Sequence, residues 1–547
     1  MSLQPEPLPQ VPEETARVAR LLFPKGNRYM WLRDELSGIY HDEQFLSLYP
    51  KGGQLAEQPW RLALMSIVQY MENYTDRQAA EAMQARIDLK YALSLELTDP
   101  GFNFSLLSEF RSRLLKGNLE ELLLTTLLER CRERGWLQER GKQRTDSTHI
   151  EAAIRTMNRL ECVGETVHAA LNSLAVVVPE WLRAHAPQDW YDRYGRRMEE
   201  FRLPKETTQR QALTEQIGRD GWEILAWIQE AASPSWLRDI PAVEILRRVW
   251  IQQFWIQEGE LHWRSDDNIP PASGLISSPY DPQAHLSIKQ ATVWTGYKVH
   301  LTETCDEDKP HLITHVETTP APKQDMEMTD DIHQGLARKH LLPREHFMDT
   351  GYVDGEHLVN SQNRYGVELI GPVTVPGNWQ SKSGQGYDTS HFHIDWENKI
   401  AVCPQGHVSH KWTERAGWRG LDMVRIQFGK QDCLACPARS QCTRAVSNPR
   451  QLQIRAQAQY EAIQSARERQ TTKAFKERYA KRAGIEGTIS QGVRAFDLRA
   501  CRYLGMAKTH LQHLLIATAM NVVRLFQWHM EETPFQSRTS RFAALAA

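Results

Sequence analysis

Between residues 291 and 371 the spacing of apolar residues changes period repeatedly, and that succession leaves few folds open. Residues 291–302 and 311–318 alternate polar with apolar, as antiparallel strands do. Residues 326–340 have helical spacing and stop at Leu341-Leu342-Pro343. The short run Glu345-His346-Phe347-Met348 then ends in Asp349 and a turn at Gly351. Asp354 is placed to cap a helix over 354–362, and residues 367–371 read as one more strand. Far upstream, residues 141–150 form a polar strand ending at or near Asp146. Placed first, it gives three strands before the first helix, then helix, strand, helix and strand.

In an open α/β sheet, ligands gather at the carboxyl ends of the strands. A lone Asp there is most often a turn cap, and Asp349 by itself carries no more than that. Asp146 and Glu486 change the weighing. The three lie 203 and 137 residues apart, so only a fold could unite them. Three carboxylates from separate elements suit a hard cation. His149 is close enough in sequence to visit the same place, although a lone His is more often a hydrogen-bonding neighbour. Tyr479, Arg482, Glu486 and Ile489 recur at helical spacing and share one face. Arg482 can orient the carboxylate or hold a phosphate. The plainer alternative is an exposed intrahelical pair worth about 0.3–0.5 kcal/mol.

The predicted fold class is α/β: a ribonuclease-H-like mixed sheet flanked by helices, interrupted and preceded by other units. Residues 1–15 form a flexible Pro/Glu-rich start. Residues 16–135 read as an all-α domain, with helices opening near Trp60, Asp76 and Ser105. Arg77, Arg86, Arg111 and Arg113 on exposed faces fit a helix-turn-helix-like DNA binder; an ordinary bundle fits equally. Residues 136–150 begin the catalytic core. Residues 151–285 form a helical, Trp-rich insertion whose tryptophans serve mostly as core anchors, with one or two available to stack on an unpaired base. The core continues over 286–375. Residues 376–455 form a Cys-rich insertion in which Cys403, Cys433, Cys436 and Cys442 are placed to bind one structural Zn²⁺. His407 or His410 could replace a ligand, and four free thiols are the plain alternative. Residues 456–528 supply the C-terminal helices that carry Glu486, with an apolar helix over 511–525 packing under the sheet. A disordered tail follows from 529 to 547.

Charge and cysteine usage narrow the setting. The formal net charge of -2 over 547 residues excludes a polybasic binder. Residues 441–510, however, hold 14 Lys/Arg against 5 Asp/Glu, a balance that fits a phosphate-facing surface or a solvated helix face. With no long apolar span and no signal peptide, the expected location is the cytoplasm, in association with the nucleoid. There, clustering of four of the 8 cysteines favours a metal over disulfides.

The residues that carry a family likeness are Asp76-Arg77-Gln78-Ala79-Ala80, Arg144-Thr145-Asp146-Ser147-Thr148-His149, Gly296-Tyr297-Lys298-Val299-His300-Leu301, Asp349-Thr350-Gly351-Tyr352 and Tyr479-x2-Arg482-x3-Glu486. In combination they resemble the DDE transposases of bacterial insertion sequences, over nearly the whole chain. One position departs: Val493 stands where that family has a basic residue, and Arg494 comes one later. The resemblance implies an enzyme that binds terminal inverted repeats of double-stranded DNA, cuts there and joins the freed ends to a target. It implies Asp146, Asp349 and Glu486 as catalytic ligands of two Mg²⁺ ions, replaceable by Mn²⁺, held about 3.5–4 Å apart. It implies DNA contacts from Arg77, Arg111, Arg113, Lys298, Tyr479, Arg482 and Arg494, a homodimer on DNA, and no membrane partner. Two alternatives stay open: a non-catalytic transposase-derived regulator, and a ribonuclease-H-like nuclease that cuts without joining.

Overall fold

In chain order, the strands of the first two-thirds are β1 (Lys142–Glu151), β2 (Phe254–Gln257), β3 (Glu260–Trp263), β4 (His285–Lys289), β5 (Thr292–Thr304), β6 (Ile313–Pro320), β7 (Glu345–Met348) and β8 (Glu368–Ile370). The structure, a computed structural model, describes residues 1–36, 38–289, 291–375, 377–382, 386–416, 422–531 and 545. Most of the tail expected over 529–547 therefore lies outside the described residues.

β1 is central to a mixed sheet of order β4-β5-β1-β7-β8, with β6 also paired to β5. β5 pairs antiparallel with β6 across a short connection, and with β1 across the long insertion. β7 and β8 run parallel to β1 because a helix crosses over before each of them: Thr329–Arg338 before β7 and Gly355–Tyr365 before β8. Asp354 caps the second of these by accepting from the His357 amide. β4 and the β2–β3 hairpin depart from the expectation of helix over residues 151–263 and of strands from 291 onward. Glu258 and Gly259 both have positive φ, 52° and 87°, the turn that folds two short strands back on each other.

Helices cover both faces. On one, Thr145 Oγ1 meets His346 Nε2 at 2.7 Å, and His346 Nδ1 meets His333 Nε2 at 3.0 Å, so the polar groups beneath Thr329–Arg338 satisfy each other. On the other lies the helix Met506–His529, buried along most of its length. Its Asn521 amide donates to Ile313 O at 2.8 Å and accepts from Ile313 N at 2.7 Å, which serves the backbone of β6 at the sheet's edge.

The N-terminal helices, among them Pro59–Met71, Asp76–Ala85 and Ser105–Lys116, pack on the far side of Met506–His529. One hydrophobic core runs from Trp60 and Phe110 through Leu515 to Leu301 and Val316. The insertion after β1 has its own core around Ile224, Leu246 and Trp250. The Cys-rich region has another, around Phe392, Phe428 and Ile454, built on β9 (His393–Asp395), β10 (Ile400–Val402), β11 (Lys411–Ala416), β12 (Asp422–Gln427) and β13 (Gln451–Arg455).

Candidate active site

β1 does not end at Asp146, as the sequence suggested, but runs on to Glu151; its neighbour β7 stops opposite Thr145. The parallel register pairs Thr145 with Met348, the last residue of β7. One step further, Asp146 on β1 neighbours Asp349, the residue just past the end of β7. Asp349 Oδ1 accepts from Thr350 N at 2.8 Å, so this residue does cap its own turn. Asp146 Oδ1 accepts from Ser147 N at 2.8 Å, and its Oδ2 receives Arg482 Nη2. Burial pushes the Asp146 carboxyl above the usual range, and the neighbouring charge of Asp349 adds to this; Arg482 and the Ser147 amide oppose it without reversing it.

Glu486 enters from the other side. Arg482 Nη1 donates to its Oε1 at 2.8 Å, so one guanidinium joins Asp146 to Glu486. Arg482 Nε is buried with no partner among the described residues. Tyr479 borders the same group: burial, with Asp349, Asp146 and Glu486 beside it, pushes its hydroxyl up to about 12. The segment is not one regular helix. Lys473–Tyr479 is followed by a tight turn over Ala480–Ala483, and a new helix runs Gly484–Ala495. At this break the Arg144 guanidinium donates to Lys481 O at 2.6 Å. A Cβ at position 484 would stand 2.0 Å from that guanidinium, so the glycine leaves room for Arg144 where Glu303 holds it.

Beneath this lies Glu303, fully buried and absent from the sequence reading. It accepts from Arg144 Nε at 2.7 Å, Arg524 Nη1 at 2.8 Å and Thr488 Oγ1 at 2.6 Å. Burial alone would raise its pKa; Arg524, Arg144 and the Thr488 hydroxyl together hold it below the usual range. Through these bonds β5 fixes β1, the Glu486 helix and the terminal helix relative to one another. Partners 159, 185 and 221 residues away in sequence leave no local signature.

Several expected contacts lie elsewhere. Arg111 is not on an exposed face: it is buried, donates to Asp76 Oδ2 at 2.6 Å and Gln69 Oε1 at 3.2 Å, and faces the Tyr503 ring. It ties the N-terminal helices to the loop before the terminal helix. Arg113 is half-buried, with a bond to Leu48 O at 3.1 Å, whereas Arg77 is exposed over the Phe104 ring. Lys298 is engaged by Asp325 Oδ1 and Lys323 O, both at 2.8 Å. Arg494 is exposed and makes no ion pair among the described residues. His149, three residues from Asp146 on a strand, points to the opposite face and lies against Trp294. The positive excess over 441–510 is partly offset from outside that window: Glu368 and Glu345 hold Arg478, and Glu307 holds Lys481. Trp190 and Trp250 are core residues, while Trp222 and Trp236 are each 48 % exposed.

Cys403, Cys433, Cys436 and Cys442 line one cavity of about 30 Å³, together with His407. His410 instead lies against the Gln427 carbonyl. Burial and the other three thiols push the Cys442 thiol up to about 11, against the pull of Arg450. Among the described residues no three His, Cys, Asp or Glu side chains are grouped so that they could hold a metal ion. At the carboxylates the reason is visible: Arg482 occupies the space between Asp146 and Glu486. No helix among the described residues is long and apolar enough to cross a membrane.

Residues 402–526 match the family described as the transposase DDE domain, a span that takes in the four clustered cysteines and Glu486 but begins after both aspartates. Residues 21–113 match the transposase domain DUF772, which spans the N-terminal helices through Arg113. No individual curated protein matches the chain. With one transposase family model matched toward each end of a mixed α/β fold, the comparisons support a DDE transposase of an insertion sequence.

Proposed function

We propose that this transposase binds the terminal inverted repeats of its element, cuts the DNA there and joins the 3′ ends to target DNA, with Asp146, Asp349 and Glu486 as its catalytic carboxylates. The observation that carries the reading is Arg482, which unites Asp146 and Glu486 beside Asp349, three groups from distant parts of the chain. The strand order β6-β5-β1-β7-β8, with the last two parallel to β1, supports a ribonuclease-H-like core.

The three carboxylates have the oxygen-donor chemistry that Mg²⁺ or Mn²⁺ requires. Bound there, divalent cations would activate the attacking oxygen and stabilise the leaving one. The protein's own part is positional. The Asp146 and Asp349 backbones are fixed by adjacent strands, and Glu486 rides on a helix anchored through Glu303. Arg482 neutralises the carboxylates when they would otherwise repel. Its unpartnered Nε, and its release from the bridge, leave it free to hold a phosphate of the substrate. Arg77 and Arg113 on the N-terminal helices are the candidates for reading the element's ends; Arg111 serves the fold instead. The test is cutting of DNA that carries the sequences flanking the gene. The expected result is nicking at the repeat ends that depends on Mg²⁺ or Mn²⁺. Specific binding without nicking in either metal would favour the non-catalytic regulator.

We further propose that Cys403, Cys433, Cys436 and Cys442 hold one structural zinc. They line one cavity of about 30 Å³, and binding would draw the thiols, which are not grouped as a metal site among the described residues, onto one ion. A cation there would offset the burial and the neighbouring thiols that together raise the Cys442 thiol. Elemental analysis of the purified protein should find close to one equivalent, and chelation should lower the melting temperature. Zinc well below one equivalent, with melting unmoved by chelator, would remove the site.

A further inference from the structure

β7 stops at Met348, so the edge of β1 that it would cover lies open beyond Thr145. The opening closes again at Glu151, whose amide donates to Arg499 O at 2.8 Å and whose carbonyl accepts from Cys501 N at 3.0 Å. Along this gap runs a cleft of about 260 Å³, lined by residues 147–149 of β1 with Lys289, Trp294, Lys298 and Arg499. It begins one residue from Asp146, and the charge of Lys289 reaches the Asp146 carboxylate.

Its charged groups divide into two kinds. Lys298 is neutralised by Asp325 and belongs to the floor. Trp294 is buried, with its indole N–H given to Tyr297 O at 3.1 Å, and forms a wall. Burial, Arg499 and Lys289 all disfavour a charged His149; Glu151 alone favours it, so the imidazole adds no net positive charge. Lys289 is exposed and makes no ion pair among the described residues. Arg499 spends its Nε on Thr148 Oγ1 at 3.1 Å, and its two terminal nitrogens have no partner among the described residues. The cleft therefore offers two uncommitted cations, of which Lys289 lies within electrostatic reach of Asp146.

We propose that this cleft binds phosphates of the DNA backbone next to the one being cut, with Lys289 and Arg499 as the contacts. The inference rests on the transposase reading above and adds a binding groove to it. A polyanion led toward Asp146, Asp349 and Glu486 meets repulsion, and two cations placed where the strand leaves the carboxylates offset it. The open edge of β1 gives the backbone a path that continues past the carboxylates.

The test uses the full-length protein and a short fluorescein-labelled duplex of arbitrary sequence, followed by anisotropy over a salt series. Each cation withdrawn from a phosphate makes the slope of log K against log salt shallower by about 0.9. Lys289→Ala combined with Arg499→Gln is therefore expected to reduce the slope by about 2 and to weaken binding at least about tenfold at low salt. A slope equal to wild type in a folded double variant would overturn the proposal. So would photo-crosslinks from backbone phosphorothioates that fall only outside residues 285–294 and 497–501, a measurement that needs no variant. Wild-type protein that fails to cut DNA would instead count against the catalytic reading, and the slope would still decide the cleft.

Discussion

Replacing Asp349 by Asn is expected to reduce cutting at the element's ends by at least about 10³-fold, equivalent to about 4 kcal/mol of barrier. The amide has the shape of the carboxylate, and its Oδ1 can still accept from Thr350 N, the bond that holds the turn. What disappears is the charge beside Asp146. End binding and melting temperature should therefore stay at wild-type values. Gel-resolved nicking of labelled end DNA, run beside a binding assay, separates the two effects. Undiminished cutting by the Asn variant would remove Asp349 from the catalytic set. Equal loss of binding and cutting would make it a structural residue.

The second large effect is expected at Glu303, where Gln should destabilise the protein by about 3–5 kcal/mol at neutral pH. Among the described residues Glu303 is the one acidic partner of both Arg524 and Arg144, whose side chains are only 14 % and 8 % exposed. Removing its charge leaves two buried guanidiniums without a counter-ion. The pH dependence follows in sign. Glu303 is held below its ordinary pKa in the folded state. Its contribution is therefore complete above the unfolded glutamate value, near 4.5, and is lost as pH falls through the lower folded value. Urea unfolding of wild type and Glu303→Gln should differ most at neutral pH and converge in acid. A constant gap between pH 7 and acid, or none at pH 7, would contradict this role.

From residue 291 onward the sheet was legible in sequence because its elements follow one another with short turns and clear changes of period. Residues 326–340 and 354–362 could be read as helices because their caps and breaks are local, and Asp354 caps its helix through its own side chain. The hairpin of β2 and β3 escaped notice because its turn is Glu258-Gly259 rather than the more telling Asn-Gly. The three carboxylates could be picked out from their neighbours in sequence. Their setting could not be, because it is made of long-range pairs: Glu303 with Arg524, Lys298 with Asp325, Arg111 with Asp76. For the same reason arginines that looked available for DNA, such as Arg111, are committed within the protein. Lys289 and Arg499 gave no signal in sequence; only the early end of β7 makes them neighbours of one cleft.

Joining of DNA, beyond cutting it, is what sets a transposase apart from a nuclease built on the same three carboxylates. The most direct measurement incubates purified protein with Mg²⁺, a DNA fragment carrying the ends that flank the gene, and a target plasmid, then sequences the junctions. The 3′ ends of the fragment are expected to be joined to the plasmid at staggered positions, with a short target duplication after repair, and no junctions should form with Asp349→Asn. Cut ends without any junction would contradict the proposed function and leave a nuclease in its place.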